Sequence, residues 1–151
     1  MAYRYFFEIA YNGTAYHGWQ SQNNSLAIQQ VIEKSIYQIT RKQHNITGSG
    51  RTDTGVHAEQ QFFHIDFTEE IDMDSVKYHL NAVLPRDIVI LSISKVSPDA
   101  HARFDAISRS YQYRIIQEKN PFLFNQACLY RKRLDIDLLN RASELLLGKK
   151  D

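Results

Sequence analysis

The sequence predicts an α+β domain with helices packed on a largely antiparallel sheet. Three observations predict it. Apolar residues alternate with polar ones at period two in several stretches, they recur at helical spacing in others, and the two kinds of stretch intermingle with hairpin-like neighbours. A chain of 151 residues suits one domain, 1–151, long enough to bury a sizeable core.

Tyr3, Tyr5, Phe7, Ile9 and Tyr11 share one face of a period-two pattern, a strand that ends at Asn12-Gly13. A loop with Tyr16, His17, Gly18 and Trp19 follows. Ser25 is placed to cap a core-facing helix over 28–40, whose Ile28, Val31, Ile32, Ser35, Ile36 and Ile39 repeat at helical spacing. Phe63, Ile65 and Phe67 alternate with His64 and Asp66, which predicts a strand with one buried face. Asp72 or Asp74 can cap a short helix through Val83, with Val76, His79, Leu80 and Val83 on one face and Pro85 just beyond. The next strand is Ile88 to Val96. Pro98-Asp99 punctuates the chain, Tyr111, Tyr113 and Ile115 resume alternation as another strand, and a further strand surrounds Leu129. Leu134, Leu138, Leu139, Ala142, Leu145 and Leu146 give a last amphipathic helix that Gly148 is placed to stop. No internal repeat, low-complexity tract or long linker is visible.

Net charge is only +1, but residues 101–133 hold seven Lys and Arg against two acids, a balance of +5 that leaves the remainder at −4. The same segment carries Phe104, Tyr111, Tyr113, Phe122, Phe124 and Tyr130. Cations could neutralise phosphates there while rings stack on bases; a solvated surface over core aromatics is the competing reading. The lone Cys128 has no internal partner and cannot build a thiolate metal site, so a reducing, cytoplasmic setting is the default. No export signal or membrane-spanning apolar run is present.

The segment Gly48-Ser49-Gly50-Arg51-Thr52-Asp53-Thr54-Gly55-Val56-His57-Ala58 sets one carboxylate among glycines that let the backbone turn sharply and approach a ligand. Arg51 would favour the ionised form of Asp53 if the two side chains converge, and an ionised Asp can act as nucleophile or general base. An ordinary polar turn is the alternative. His57 lies four residues after Asp53, but Gly55 opposes a helix that would align them, and no His-Glu-x-x-His or calcium loop occurs. Asp66 falls on the outward set of its strand and makes a poor second acid. Serine nucleophile elbows and Walker loops are absent. One acid, a neighbouring Arg and basic aromatic strands fit an enzyme that attacks a nucleoside within a polyanion. Such an enzyme flips its target base and needs an aromatic partner, for which Tyr111 is the candidate.

Several motifs then agree in order with one family. Tyr11-Asn12-Gly13-Thr14-Ala15-Tyr16-His17-Gly18-Trp19-Gln20, Gly50 to Ala58, Asn81-Ala82-Val83-Leu84-Pro85-Arg86-Asp87-Ile88 and His101 to Tyr113 together resemble the tRNA pseudouridine synthase A family over nearly the whole chain. The resemblance implies that Asp53 is the catalytic aspartate and Tyr111 the base-stacking tyrosine. It implies isomerisation of uridines 38 to 40 in the tRNA anticodon stem-loop without metal or organic cofactor. Arg51 would assist base extrusion or hold the Asp53 loop, with an ion pair to a nearby acid as the alternative. Phosphate contact and salt-bridge support both stay open for Arg103 and Arg109, and Trp19 reads mainly as a packing residue.

The family's fold has two related halves around a continuous sheet, and its members act as homodimers with tRNA crossing both subunits. Family members continue beyond Leu145-Leu146-Leu147-Gly148 into a second half that completes sheet and cleft. The resemblance therefore implies an N-terminal portion lacking the C-terminal half, weak or inactive alone, whose open sheet edge could promote self-association. Two other readings stay open: a non-catalytic tRNA-binding module and an assembly domain whose exposed faces await a partner.

Overall fold

A computed structural model describes residues 2–23 and 25–148. Lys149, Lys150 and Asp151 lie outside the described residues. The chain divides into two compact units, Met1–Arg109 and Ser110–Asp151.

The first unit is an antiparallel sheet with two helices on one face. Its strands are β1 (Tyr3–Tyr11), β2 (Thr47–Gly48), β3 (Ala58–Phe67) and β4 (Ile88–Val96), in the order β2-β3-β1-β4. The helices are α1 (Ile28–Thr40) and α2 (Met73–Val83). β1 lies centrally, so its odd-numbered face meets odd-numbered partners on β3: Tyr5 opposite Ile65, Phe7 opposite Phe63 and Ile9 opposite Gln61. The apolar residues among these are buried together with Ile28, Ile32 and Ile36 of α1, Leu80 of α2, and Ile88 and Ile90 of β4. Complete burial of each such side chain contributes about 1.5–3 kcal/mol.

Period two accounts for β1 and for residues 63–67 of β3, and β4 has the bounds read from the sequence, but two features needed tertiary context. The register of β1 slips against β3 between Ile9 and Tyr11 and against β4 between Glu8 and Ile9, so both neighbours bulge around the C-terminal end of β1. Bulges bend a strand and re-aim its side chains, and they gather beside functional sites. His64, expected on the open face, is buried because the Ala102 amide donates to its Nδ1 at 3.1 Å and caps that side of the strand. Asp66 does face outward, where it is ion-paired with Arg4 at 2.7 Å.

The start of α1 corrects the expected cap. Ser25 forms an isolated bridge with Gln22, and the N-cap is Ala27. A helix leaves its first amide donors without internal partners. Here the Ile28 and Gln29 amides donate to the carbonyls of Gly18 and Trp19 at 3.1 and 2.9 Å, and Gln30 reaches back to the Ala27 amide. The loop, not a capping hydroxyl, therefore sets where α1 begins. α2 starts as expected, with Asp72 accepting from the Asp74 and Ser75 amides.

The second unit contains β5 (Ile115–Ile116), paired parallel with β6 (Cys128–Leu129), and α3 (Ile136–Glu144), capped by Asp135. The strand expected from Tyr111 is shorter than the alternation implied. Residues 111–114 have the pattern but no ladder partner among the described residues, and β5 is limited to two residues. α3 is likewise shorter than its apolar repeat; Gly148 follows with φ of +90°. No residue of this unit among those described is buried. No helix among the described residues is long and apolar enough to cross a membrane.

Candidate active site

Asp53 sits in the loop between β2 and β3, with its side chain exposed, as is that of Arg51. Exposure of the side chains contrasts with how firmly the backbone is held. The Trp19 amide donates to the Thr52 carbonyl at 3.1 Å, the Gly55 amide to the Tyr16 carbonyl at 3.1 Å, and the Val56 amide to the Asp53 carbonyl at 3.2 Å. The Gly13 amide donates to Nδ1 of His57 at 3.0 Å. Segment 13–19 thus runs against segment 52–57, backbone to backbone.

That approach depends on two glycines of the first segment. A Cβ on Gly13 would lie 2.0 Å from the Val56 carbonyl oxygen, and one on Gly18 would lie 2.2 Å from the Thr52 oxygen. Gly18 also has φ of +81°, a conformation that glycine alone adopts cheaply. Among the glycines read from the sequence as loop-softening, only Gly55 has positive φ, at +79°. Gly48 serves differently: a side chain there would meet the Trp19 indole. Trp19 is buried beside Phe63 and Tyr11, a packing residue whose backbone groups also hold the loop and the start of α1.

A buried polar network supports the loop from beneath. Tyr11 donates its hydroxyl proton to Oε1 of Gln61 at 2.7 Å, and the hydroxyl oxygen is 2.8 Å from Oγ1 of Thr52. Nε2 of Gln61 donates to the Gly50 carbonyl at 3.1 Å. The Gly50 carbonyl can only accept, which orients the amide and leaves Oε1 facing the phenol. With its own proton given to Gln61, Tyr11 accepts from Thr52. Burial pushes the Tyr11 phenol above its ordinary pKa, keeping it a donor. Tyr16 is tied similarly, its hydroxyl donating to Asp87 at 2.7 Å while the Asn12 amide donates to the Asp87 carbonyl.

Of the other sequence candidates, Arg109 meets the loop. Its Nη2 donates to the Ser49 carbonyl at 2.7 Å and to the Arg103 carbonyl at 3.2 Å, joining residues 103–109 to the segment before Asp53. The guanidinium thus braces backbone instead of forming a salt bridge. Arg103 is exposed beside Phe104. Among the described residues, no ion pair joins Arg51 to Asp53. Tyr111 belongs to the second unit, where it is 79% exposed. Among the described residues, no group of three or more His, Cys, Asp or Glu is arranged to hold a metal ion.

Sequence reasoning missed Gln61 and the supporting roles of Tyr11 and Thr52. One signal was available: Gln61 is a polar residue on the odd-numbered, apolar set of β3, and a polar group at a core position needs a buried partner.

Comparison with known proteins adds an independent line. The tRNA pseudouridine synthase family matches residues 9–105. The chain is 43% identical over 145 residues to tRNA pseudouridine synthase A of Porphyromonas gingivalis, covering 95% of this chain and 58% of that protein. It is 46% identical over 143 residues to the protein of that name from Azobacteroides pseudotrichonymphae, covering 95% of this chain and 57% of the relative. With that from Bacteroides fragilis it shares 44% identity over 151 residues, 98% of this chain and 59% of the relative. The chain therefore spans somewhat under three fifths of the length of these curated relatives.

Proposed function

Because the chain belongs to the tRNA pseudouridine synthase family, we propose that it is the N-terminal portion of an enzyme that isomerises uridines 38 to 40 of the tRNA anticodon stem-loop, with Asp53 as nucleophile. The observation that carries this reading is an exposed carboxylate on a loop whose backbone is bonded on both flanks, to Trp19 at Thr52 and to Tyr16 at Gly55. A nucleophile gains most when its position is set before the substrate arrives, since the ordering cost is then not met at the reacting step.

The net change is an isomerisation. The bond from uracil N1 to the ribose carbon breaks, a bond from C5 to the same carbon forms, the proton leaves C5 and N1 ends protonated. Nothing is oxidised or reduced, so the chemistry requires no redox cofactor. Asp53 would form the covalent adduct that splits this exchange into two steps, and leave when the new bond is complete. Tyr111 would stack on the extruded base and Arg51 would assist extrusion. Arg103 would contact phosphate, while the Arg109 guanidinium, already used on two carbonyls, is better suited to bracing the loop. A homodimer in the cytoplasm is the setting that fits the family.

The chain alone is expected to turn over weakly or not at all, because the segment its relatives continue with would supply another wall of the cleft. A non-catalytic tRNA-binding role for the isolated chain is the second reading. Exposed Tyr111, Tyr113, Phe122 and Phe124 within the basic stretch favour it.

Incubating the longer protein and the 151-residue chain with unmodified tRNA transcripts, then mapping pseudouridine, separates the readings. Product at 38 to 40 from the longer protein, none from its Asp53→Ala variant, and salt-dependent binding without product by the short chain is the expected pattern. Full activity of Asp53→Ala would defeat the mechanism.

A further inference from the structure

The polar network of buried Tyr11 and Gln61 with half-buried Thr52 is connected to both sides of Arg51. Gln61 holds the carbonyl of Gly50, and Tyr11 holds the side chain of Thr52. The two anchors bracket one residue and end immediately before Asp53. The loop is thus gripped from within the core at the two residues that determine where the Arg51 and Asp53 side chains leave the backbone.

The strand irregularities explain how a core tyrosine comes to serve the loop. Up to Ile9, β1 and β3 pair without interruption; beyond it the register slips, and Tyr11 comes opposite Ala58. The phenol then lies beside Trp19, with ring centroids 6.3 Å apart, and its hydroxyl meets the loop. A phenylalanine would fill the same space and leave two polar partners short of a hydrogen bond, with no water-facing alternative for buried Gln61.

We propose that the Tyr11 hydroxyl, acting through Thr52 and Gln61, is a positioning element for Asp53. It never touches the substrate and sets the loop's geometry in advance of binding. The inference rests on the reading of Asp53 as nucleophile given above. Its consequence is specific: removing one oxygen atom lowers the rate of the chemical step while tRNA binding, which uses exposed groups, is kept.

The test uses the longer protein with three substitutions and two readouts. Tyr11→Phe removes the phenol oxygen, Thr52→Val removes the partner hydroxyl with its branched shape kept, and Thr52→Ser keeps that hydroxyl. Tyr11→Phe and Thr52→Val are each expected to lower kcat about ten- to a hundredfold with KM within about twofold, since small misplacements of a reacting group cost that much. Their combination should be scarcely worse than Tyr11→Phe alone, because loss of the phenol already breaks the bond to Thr52. Thr52→Ser should recover most of the rate.

Amide hydrogen exchange at Gly55 and Val56, which needs no turnover, should quicken in the first two variants and not in Thr52→Ser. Unchanged kcat in folded Tyr11→Phe and Thr52→Val, a loss confined to KM, or unchanged exchange would each overturn the proposal. Loss of cooperative melting in both variants would also overturn it, by making the network a requirement of folding. Asp53→Ala, assayed alongside, distinguishes the other failure. If it is fully active the nucleophile reading falls, and the exchange measurement still decides whether the hydroxyl holds the loop.

Discussion

In the first unit Phe7 and Phe63 stack with ring centroids 4.8 Å apart, both wholly removed from water. In the second, Phe122 and Phe124 are 88% and 80% exposed. Both units are rich in apolar residues set out with clear periodicity, yet the first has a core and, among the described residues, none of the second is buried. The difference is in what the pattern meets. Each odd residue of β1 finds an apolar partner across two neighbouring strands and two helices, so the alternation becomes burial. The leucines of α3 and of the turn after it repeat as regularly, but Leu138, Leu139, Leu145 and Leu146 stay exposed. Amphipathicity states which face should be covered; only a partner covers it.

The largest effect that would break this contrast is a pair of truncations. Phe63→Ala is expected to cost about 3–5 kcal/mol of stability, the range for emptying a packed aromatic site. Leu138→Ala, in an exposed helix, should stay within about 0.5 kcal/mol. Urea denaturation of the 151-residue chain, followed by signals from each unit, checks both. An equally large loss from Leu138→Ala would mean that the second unit has a core of its own.

The same contrast explains how far the sequence could be read. β1, α1, α2 and β4 were legible to within a residue or two, because their patterns are long and each is satisfied inside the first unit. Asp53 and its glycine-flanked loop were conspicuous for the same local reason. What escaped was non-local. The bulges beside Ile9, the burial of His64 under Ala102, and the bond between Tyr11 and Gln61 join residues from 38 to 84 positions apart in sequence, and no window along the chain contains both partners. Alternation at Tyr111 and Tyr113 predicted a ladder that needed a neighbouring strand to exist.

Glycine substitutions sharpen the contrast at a smaller scale. Gly18 and Gly148 have nearly the same backbone, with φ of +81° and +90°. Alanine at either meets the ordinary cost of a left-handed residue, about 1–2 kcal/mol. At Gly148 nothing lies within 4 Å of the added carbon, whereas at Gly18 the Thr52 oxygen would be 2.2 Å away. Gly18→Ala should therefore cost clearly more than Gly148→Ala and should also loosen the Asp53 loop. Thermal melting orders the two, and faster amide exchange at Trp19 and Gly55 should follow only the first. Equal costs would show that segment 13–19 yields easily and does not hold the loop.

The smallest effect concerns protons. His64 is buried in the first unit, stacked on Phe6, edge-on to His101 and close to the charges of Arg4 and Asp66. Burial holds its imidazole below the ordinary pKa, Arg4 and His101 lower it further, and Asp66 opposes them. The unfolded chain then binds a proton at higher pH than the folded chain does. This contribution to stability is complete above the unfolded value, near 6.5, and is lost as pH falls through the lower folded value. Protonation would also remove the acceptor that Nδ1 offers to the Ala102 amide. His64→Asn keeps an acceptor oxygen without the titration, so its stability should vary less between pH 7 and 5 than that of the parent. One proton limits the slope difference to about 1.4 kcal/mol per pH unit. Denaturation at closely spaced pH values resolves it. Glu8 and Asp66, whose carboxyls hydrogen bonds hold low, titrate in a more acid range and leave this window clear. Parallel pH profiles for parent and variant would mean that His64 takes up its proton without disturbing the first unit, and that burial beneath Ala102 gives way at little cost.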